Sequence, residues 1–176
     1  LNLSKKNKAK SITSIAVFYD IIKPSDFVAD IKDILSRDGI WVMEQTYLPT
    51  LIKNFGYDSI CHEHLTYFTL KQINYLCEKS DLRVFKTTLN PMYGGSIRVF
   101  ICHKEAKFKT NFKSIQKCKK LESKYINRKH LINFKKKIND KTQYIVNSIF
   151  LEDNYDISSI NTLVGGPQSI FMLDYT

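Results

Sequence analysis

Cys61-His62-Glu63-His64 puts two imidazoles, a carboxylate and a thiol into four consecutive positions, between an irregular stretch and a capped helix. Histidine and glutamate side by side suit proton transfer, since an unperturbed imidazole titrates near neutral pH and a carboxylate can orient it. His62 and His64 also have the His-x-His spacing that can hold a metal with Glu63. Zinc wants further ligands from elsewhere, however, and the metalloprotease motif has two residues after the Glu where this chain has none. A solvated loop carrying structural histidines is the third reading. Two other groups could do chemistry: Phe18-Tyr19-Asp20, which leaves an apolar run, and Gly94-Gly95-Ser96 followed by Arg98. Asp20 reads equally as a turn residue. The glycines fit a tight turn with positive φ or a close approach of backbone to a ligand, and Arg98 could pair a phosphate or an inward carboxylate.

These groups need a scaffold, and the order of elements supplies one. Ser11 to Val17 is short and rich in β-branched residues, which predicts a buried strand. Pro24-Ser25-Asp26 then announces a helix with Ser25 or its neighbour as cap, Phe27, Val28, Ile31, Ile34 and Leu35 at helical spacing, and Asp38-Gly39 as its end. Ile40 to Met43 predicts a second strand that delivers Glu44 and Gln45 to its carboxyl end. Thr46 to Phe68 has no clean period. Thr69 to Gln72 has capping-box spacing ahead of a second amphipathic helix. Leu82 to Thr88 predicts a third strand, and Ile97, Val99 and Ile101 alternate with Arg98, Phe100 and Cys102 in a fourth after the turn at 90–95. Strands alternating with helices predict an α/β fold with a largely parallel sheet, to which a hairpin adds an antiparallel strand. Ligands of such sheets gather at the carboxyl ends of the strands.

Composition narrows the class. The chain has 176 residues, 43% apolar and 12% aromatic, which is enough for one packed domain or one domain plus part of another. It holds no apolar run near the roughly 20 residues needed to span a bilayer and no opening signal peptide, so a soluble, cytoplasmic protein is expected. Cys61, Cys77, Cys102 and Cys118 form no Cys-x-x-Cys pair, and reduced thiols are expected. The net charge of +10 comes mostly from Lys104 to Lys141, including Lys119-Lys120 and Lys135-Lys136-Lys137. A solvated helical surface accounts for it more simply than a nucleic-acid patch, although a basic module binding nucleic acid or an acidic partner remains the alternative function. Residues 105–150 predict one or two long helices. Gly165-Gly166-Pro167 reads as a turn and only weakly as a phosphate loop.

Three segments in this order, Ile12 to Asp20, Tyr57 to Leu65, and Gly94-Gly95-Ser96-Ile97-Arg98, resemble the S-adenosylmethionine-dependent C-methyltransferases that act on nucleotide-linked keto sugars. The resemblance runs from about Ser11 to His103. It implies a partial class I methyltransferase (Rossmann-like) sheet with a closing antiparallel strand and a Lys-rich helical segment after it. Residues 1–104 would be the second half of the methyltransferase domain, 105–150 the helical segment, and 151–176 the start of a carboxyl-terminal α/β domain. It further implies S-adenosylmethionine as cofactor, a nucleotide-sugar substrate and no metal.

By the same resemblance His64 is the general base, Glu63 supports it or binds the sugar, and Tyr19 joins them. Phe18, Tyr19 and Asp20 would meet the cofactor. Tyr57, Cys61, Tyr67, Gly94, Gly95, Ser96 and Arg98 would meet the substrate, with His62 structural. Relatives often carry Tyr where this chain has Cys61, so another hydroxyl, from Tyr19, Tyr57 or Tyr67, is expected to hold the enolate. The family's Cys-rich zinc segment is absent, as is its glycine-rich turn, since only Gly39 and Gly56 precede Gly94. With Leu1 already near the family's fourth strand, a fragment is expected, and an inactive remnant is a further alternative.

Overall fold

The computed structural model describes residues 8–56, 59–61 and 63–151. Tyr57, His62 and the expected carboxyl-terminal segment with Gly165-Gly166-Pro167 lie outside the described residues.

The chain begins with β1 (Ala9–Ile15) and a short 3-10 turn, Phe18–Asp20, before α1 (Pro24–Ile34). Pro24 occupies the first helical position, where its missing N–H costs nothing and its fixed φ starts the turn. The cap is therefore Lys23, without a side-chain hydrogen bond, and Ser25 falls inside the first turn instead of capping it. The helix also stops earlier than its sequence suggests. β2 (Leu35–Thr46) starts four residues before Gly39, and its pairing with β1 jumps from Ala9↔Leu35 to Ser11↔Ile40. The residues between bulge outward. Gly39 closes that bulge where a Cβ would sit 2.8 Å from Leu35 Cδ1 and 2.9 Å from the Ala9 carbonyl, so the signal read as a helix stop is a close approach of two strands.

A seven-residue helix follows that periodicity does not reveal, α2 (Leu48–Asn54). It is too short to display a period, and Pro49 looks like a breaker until it is seen in the first turn. α3 (Leu70–Lys79) has the expected capping box, with Thr69 and Gln72 satisfying each other's backbone N–H. β3 (Leu82–Asn90) and β4 (Ser96–His103) form the hairpin, and α4 (Phe112–Tyr125) and α5 (Arg128–Leu151) fill the Lys-rich stretch. Among the described residues no helix is long and apolar enough to cross a membrane.

The fold is α/β, with a four-stranded sheet in the order β1-β2-β4-β3. β1 and β2 are parallel, and β4 runs antiparallel to both β2 and β3. β4 thus returns between β2 and β3, so that β1, β2 and β3 all point their carboxyl ends the same way. Its Ile97, Val99 and Ile101 are wholly buried, which explains the inner position of this strand. Together with Trp41, Met43, Leu82 and Val84 they form the core against Val28 and Ile31 of α1, Leu70, Ile73 and Cys77 of α3, and Cys118 of α4. A second apolar cluster packs Leu51 and Ile52 of α2 on Phe134 of α5, with Ile60 and Tyr67 from the intervening loop.

α4 is held to the carboxyl edge of the sheet by a polar contact. The Tyr47 hydroxyl, just past β2, donates to Glu122 Oε1 at 2.7 Å, and the same oxygen accepts the N–H of Leu70 at the start of α3. A carboxylate at a helix amino terminus is favoured by the helix dipole. Burial, with Glu122 beside it, pushes the Tyr47 phenol well up, so the hydroxyl remains a donor. Glu122→Ala should lower the unfolding free energy by about 1–3 kcal/mol, read as a fall in the urea midpoint; an unchanged midpoint would show that this tie does not hold α4.

Candidate active site

The carboxyl end of β1 sets one wall of the site. Ala16 takes a left-handed φ of 54°, and the following turn sends Phe18 inward. Phe18 is 1% exposed and packs on Phe68, Trp41 and Phe27 with ring centroids 4.9, 6.0 and 5.8 Å away. Its side chain is taken up by the core. Tyr19 points the other way and lies against His64, with centroids 4.1 Å apart. Its carbonyl accepts the Thr66 N–H at 3.1 Å, which fastens the loop to the end of β1. Asp20 is exposed beside it.

The loop carries its own restraints. The His64 N–H donates to the Cys61 carbonyl at 3.2 Å, closing a tight turn. His64 Nδ1 lies 2.7 Å from the Ser59 carbonyl oxygen. A carbonyl can only accept, so the proton of the neutral ring belongs on Nδ1 and the lone pair on Nε2. The Tyr67 hydroxyl donates to the same Ser59 oxygen at 3.2 Å, and its ring meets His64 edge-on at 6.2 Å. Burial pushes the Tyr67 phenol up, so it stays protonated at neutral pH. Glu63 is exposed and Cys61 half-buried. The other three thiols are buried, and burial raises each of them, Cys77 to about 12.

A second group lies farther along the same sheet edge. Gly94 and Gly95 have φ of 71° and 122°, backbone that favours glycine, and their carbonyls face α2. Arg98 meets a carboxylate: its Nε and Nη2 lie 2.7 and 2.6 Å from Glu44 Oε2. Ser96 Oγ and Asn90 Nδ2 donate to Glu44 Oε1 at 2.9 and 2.6 Å. Burial works to raise this carboxyl, but hydrogen bonds from Asn90, Arg98 and Ser96 and the guanidinium charge outweigh it, holding Glu44 below the ordinary 4.5.

Tyr19, His64 and Tyr67 are thus gathered in one place, and Gly94, Gly95, Ser96 and Arg98 in another. Glu44 was visible in the sequence as a charged residue ending an apolar strand, but nothing there revealed its partners. Asn90 read only as a turn residue. Thr50 and Asn54, which reach the glycine turn, lie in the helix that periodicity missed.

No protein-family model matches the chain. Over 70 residues, 40% of its length, it is 40% identical to C-methyltransferase NovU of Streptomyces niveus. The chain carries a segment similar to a C-methyltransferase. That stretch spans 17% of the relative's own length. Among solved structures, M1.HpyAVI aligns at 12% identity over 59% of this chain and 48% of its own, with a TM-score of 0.38. TnmH aligns at 12% identity over 56% and 31%, with a TM-score of 0.41.

Because Glu44 is held below its ordinary pKa, its contribution to stability is fully present above the unfolded-state value and lost as pH falls through the folded one. Glu44→Gln should therefore lower the unfolding free energy by about 1–3 kcal/mol at pH 7, and the deficit should shrink as pH drops below 4.5. Urea unfolding at stepped pH measures it; a deficit that grows toward acid would contradict this ion pairing.

Proposed function

We propose that this chain is the acceptor-side part of an S-adenosylmethionine-dependent C-methyltransferase, and that His64 removes a proton from the carbon beside the ketone of a nucleotide-linked sugar in the cytoplasm. The observation that carries the reading is the hydrogen bond from His64 Nδ1 to the Ser59 carbonyl, which leaves Nε2 as an available base beside Tyr19. The 40% identity to a C-methyltransferase supports the class of reaction.

The described residues fit the cofactor in part. Tyr19 offers an aromatic ring and Asp20 an exposed carboxylate at the carboxyl end of β1, both suited to a cationic centre. The described glycines are used elsewhere: Gly39 in the bulge, Gly56 after α2, and Gly94 and Gly95 in the hairpin turn. Among the described residues they form no glycine-rich cradle for the rest of the cofactor. When bound, S-adenosylmethionine supplies an electrophilic methyl on a sulfonium, so transfer needs no metal.

The chain's own residues account for the acceptor. Nε2 of His64 would take the α-proton, and the C–H electron pair would move into the enolate, leaving a nucleophilic carbon for the methyl group that the bound cofactor would supply. The imidazolium that forms keeps its Nδ1–H on the Ser59 carbonyl, so the ring need not turn. Tyr19, whose ring lies against His64, is the described tyrosine that would meet the enolate oxygen where relatives use the residue at Cys61, since the Tyr67 hydroxyl already donates to Ser59. Glu63, exposed beside the base, binds a sugar hydroxyl; the ring's one N–H is taken by Ser59, so the carboxylate is not what orients it.

His64→Gln in the full-length protein should reduce methyl transfer from labelled S-adenosylmethionine to nucleotide-linked keto sugars by about 10²–10⁴-fold, with cofactor binding by calorimetry retained. Transfer at the wild-type rate would reject His64 as the base.

A further inference from the structure

The Gly94-Gly95 turn is joined to the His64 ring through a continuous run of bonds. Asn54 Nδ2 donates to the Gly94 carbonyl at 2.6 Å, and Thr50 Oγ1 lies 2.6 Å from both the Gly95 and the Tyr47 carbonyls. The Tyr47 N–H donates to Gly95 O at 3.2 Å. At Gly95 the fit is tight: a Cβ there would come 2.6 Å from Thr50 Cβ, whereas one on Gly94 would meet the Gly56 Cα at an ordinary 3.9 Å. From α2 the run continues into the loop. The Gly56 N–H donates to Leu51 O at 3.0 Å, the Ser59 N–H to Gly56 O at 3.3 Å, and Ser59 O takes the Nδ1–H of His64 at 2.7 Å. At its far end the turn is anchored by Ser96 and Arg98 on the buried Glu44.

We infer that Thr50 and Asn54 are positioning residues for His64: by gripping the two glycine carbonyls they set α2, and α2 sets the Ser59 carbonyl that keeps the ring proton on Nδ1. This rests on the reading of His64 as the base and adds what prepares it. A neutral imidazole free of such a partner favours the proton on Nε2, the form that cannot accept a proton there. The hydrogen bond at Nδ1 decides the tautomer, and the placement of Ser59 decides the hydrogen bond. Leu51 and Ile52 pack α2 on Phe134, so α2 keeps its apolar anchor when a polar grip is removed. Asn54 is exposed, and its amide gains little for the fold beyond this contact. The role explains why a buried hydroxyl at 50, an amide at 54 and two glycines are all spent on one turn.

The test is long-range proton–nitrogen correlation NMR on the full-length protein labelled with 15N-histidine, with the His64 signal assigned by its loss in His64→Gln. Wild type should show the Nδ1–H tautomer. In Asn54→Ala and in Thr50→Val the Nδ1–H population should be more than halved, and Thr50→Ser should restore it. Val28→Ala, a core change in α1, should lower stability and leave the tautomer alone. An unaltered Nδ1–H signal in Asn54→Ala and Thr50→Val would overturn the inference, and if Thr50→Val does not fold, Asn54→Ala decides. A shifted tautomer combined with full transfer by His64→Gln would instead keep the positioning role and reject the base.

Discussion

The carboxylate of Glu44 is the constraint on which this arrangement depends. It is 6% exposed at the carboxyl edge of the sheet, where an unpaired charge would be intolerable. Three donors from two other strands answer it: Asn90 at the end of β3, and Ser96 and Arg98 at the start of β4. Because Glu44 stands opposite Arg98 in the register of β2 and β4, the ion pair and the strand pairing specify each other. A slip by one residue would turn Arg98 onto the core face, move Ile97, Val99 and Ile101 off it, and leave the carboxylate bare. The cluster also fixes both ends of the hairpin turn, so the glycines between them have one place to go.

From that turn outward, order passes to the loop. β1, through Tyr19, and α2, through Ser59, approach His64 from two sides, one by ring contact and one by a hydrogen bond. Neither element alone would fix the ring. Tyr67 shares the Ser59 carbonyl and leans on the α2–α5 cluster, which adds a third restraint. An irregular loop can present a well-placed base when its backbone is tied to the ends of regular elements.

The sequence showed most of the regular elements and the main chemical groups. Thr69 and Gln72 announced α3 because a capping box is local chemistry, and the alternation of β4 was clear because one of its faces is core. Asp38-Gly39 misled because Gly serves helix ends and strand crowding alike, and only the approach of Ala9 tells them apart. Helix α2 was hidden because seven residues hold too little period, and its role lies in contacts 40 and 45 residues away. Arg98 left two partners open, phosphate or carboxylate, and the fold supplied the carboxylate. The His64 tautomer was beyond any sequence reading, since it depends on one main-chain oxygen.

The proposed removal of a carbon-bound proton by His64 can be followed by exchange with solvent, without methyl transfer. The full-length protein is held in deuterium oxide with a nucleotide-linked keto sugar and S-adenosylhomocysteine in place of the methyl donor, and deuterium at the carbon beside the ketone is followed by proton NMR. Enzyme-dependent exchange at that carbon, lost in His64→Gln, is the expected result. Exchange that continues undiminished in His64→Gln would contradict it.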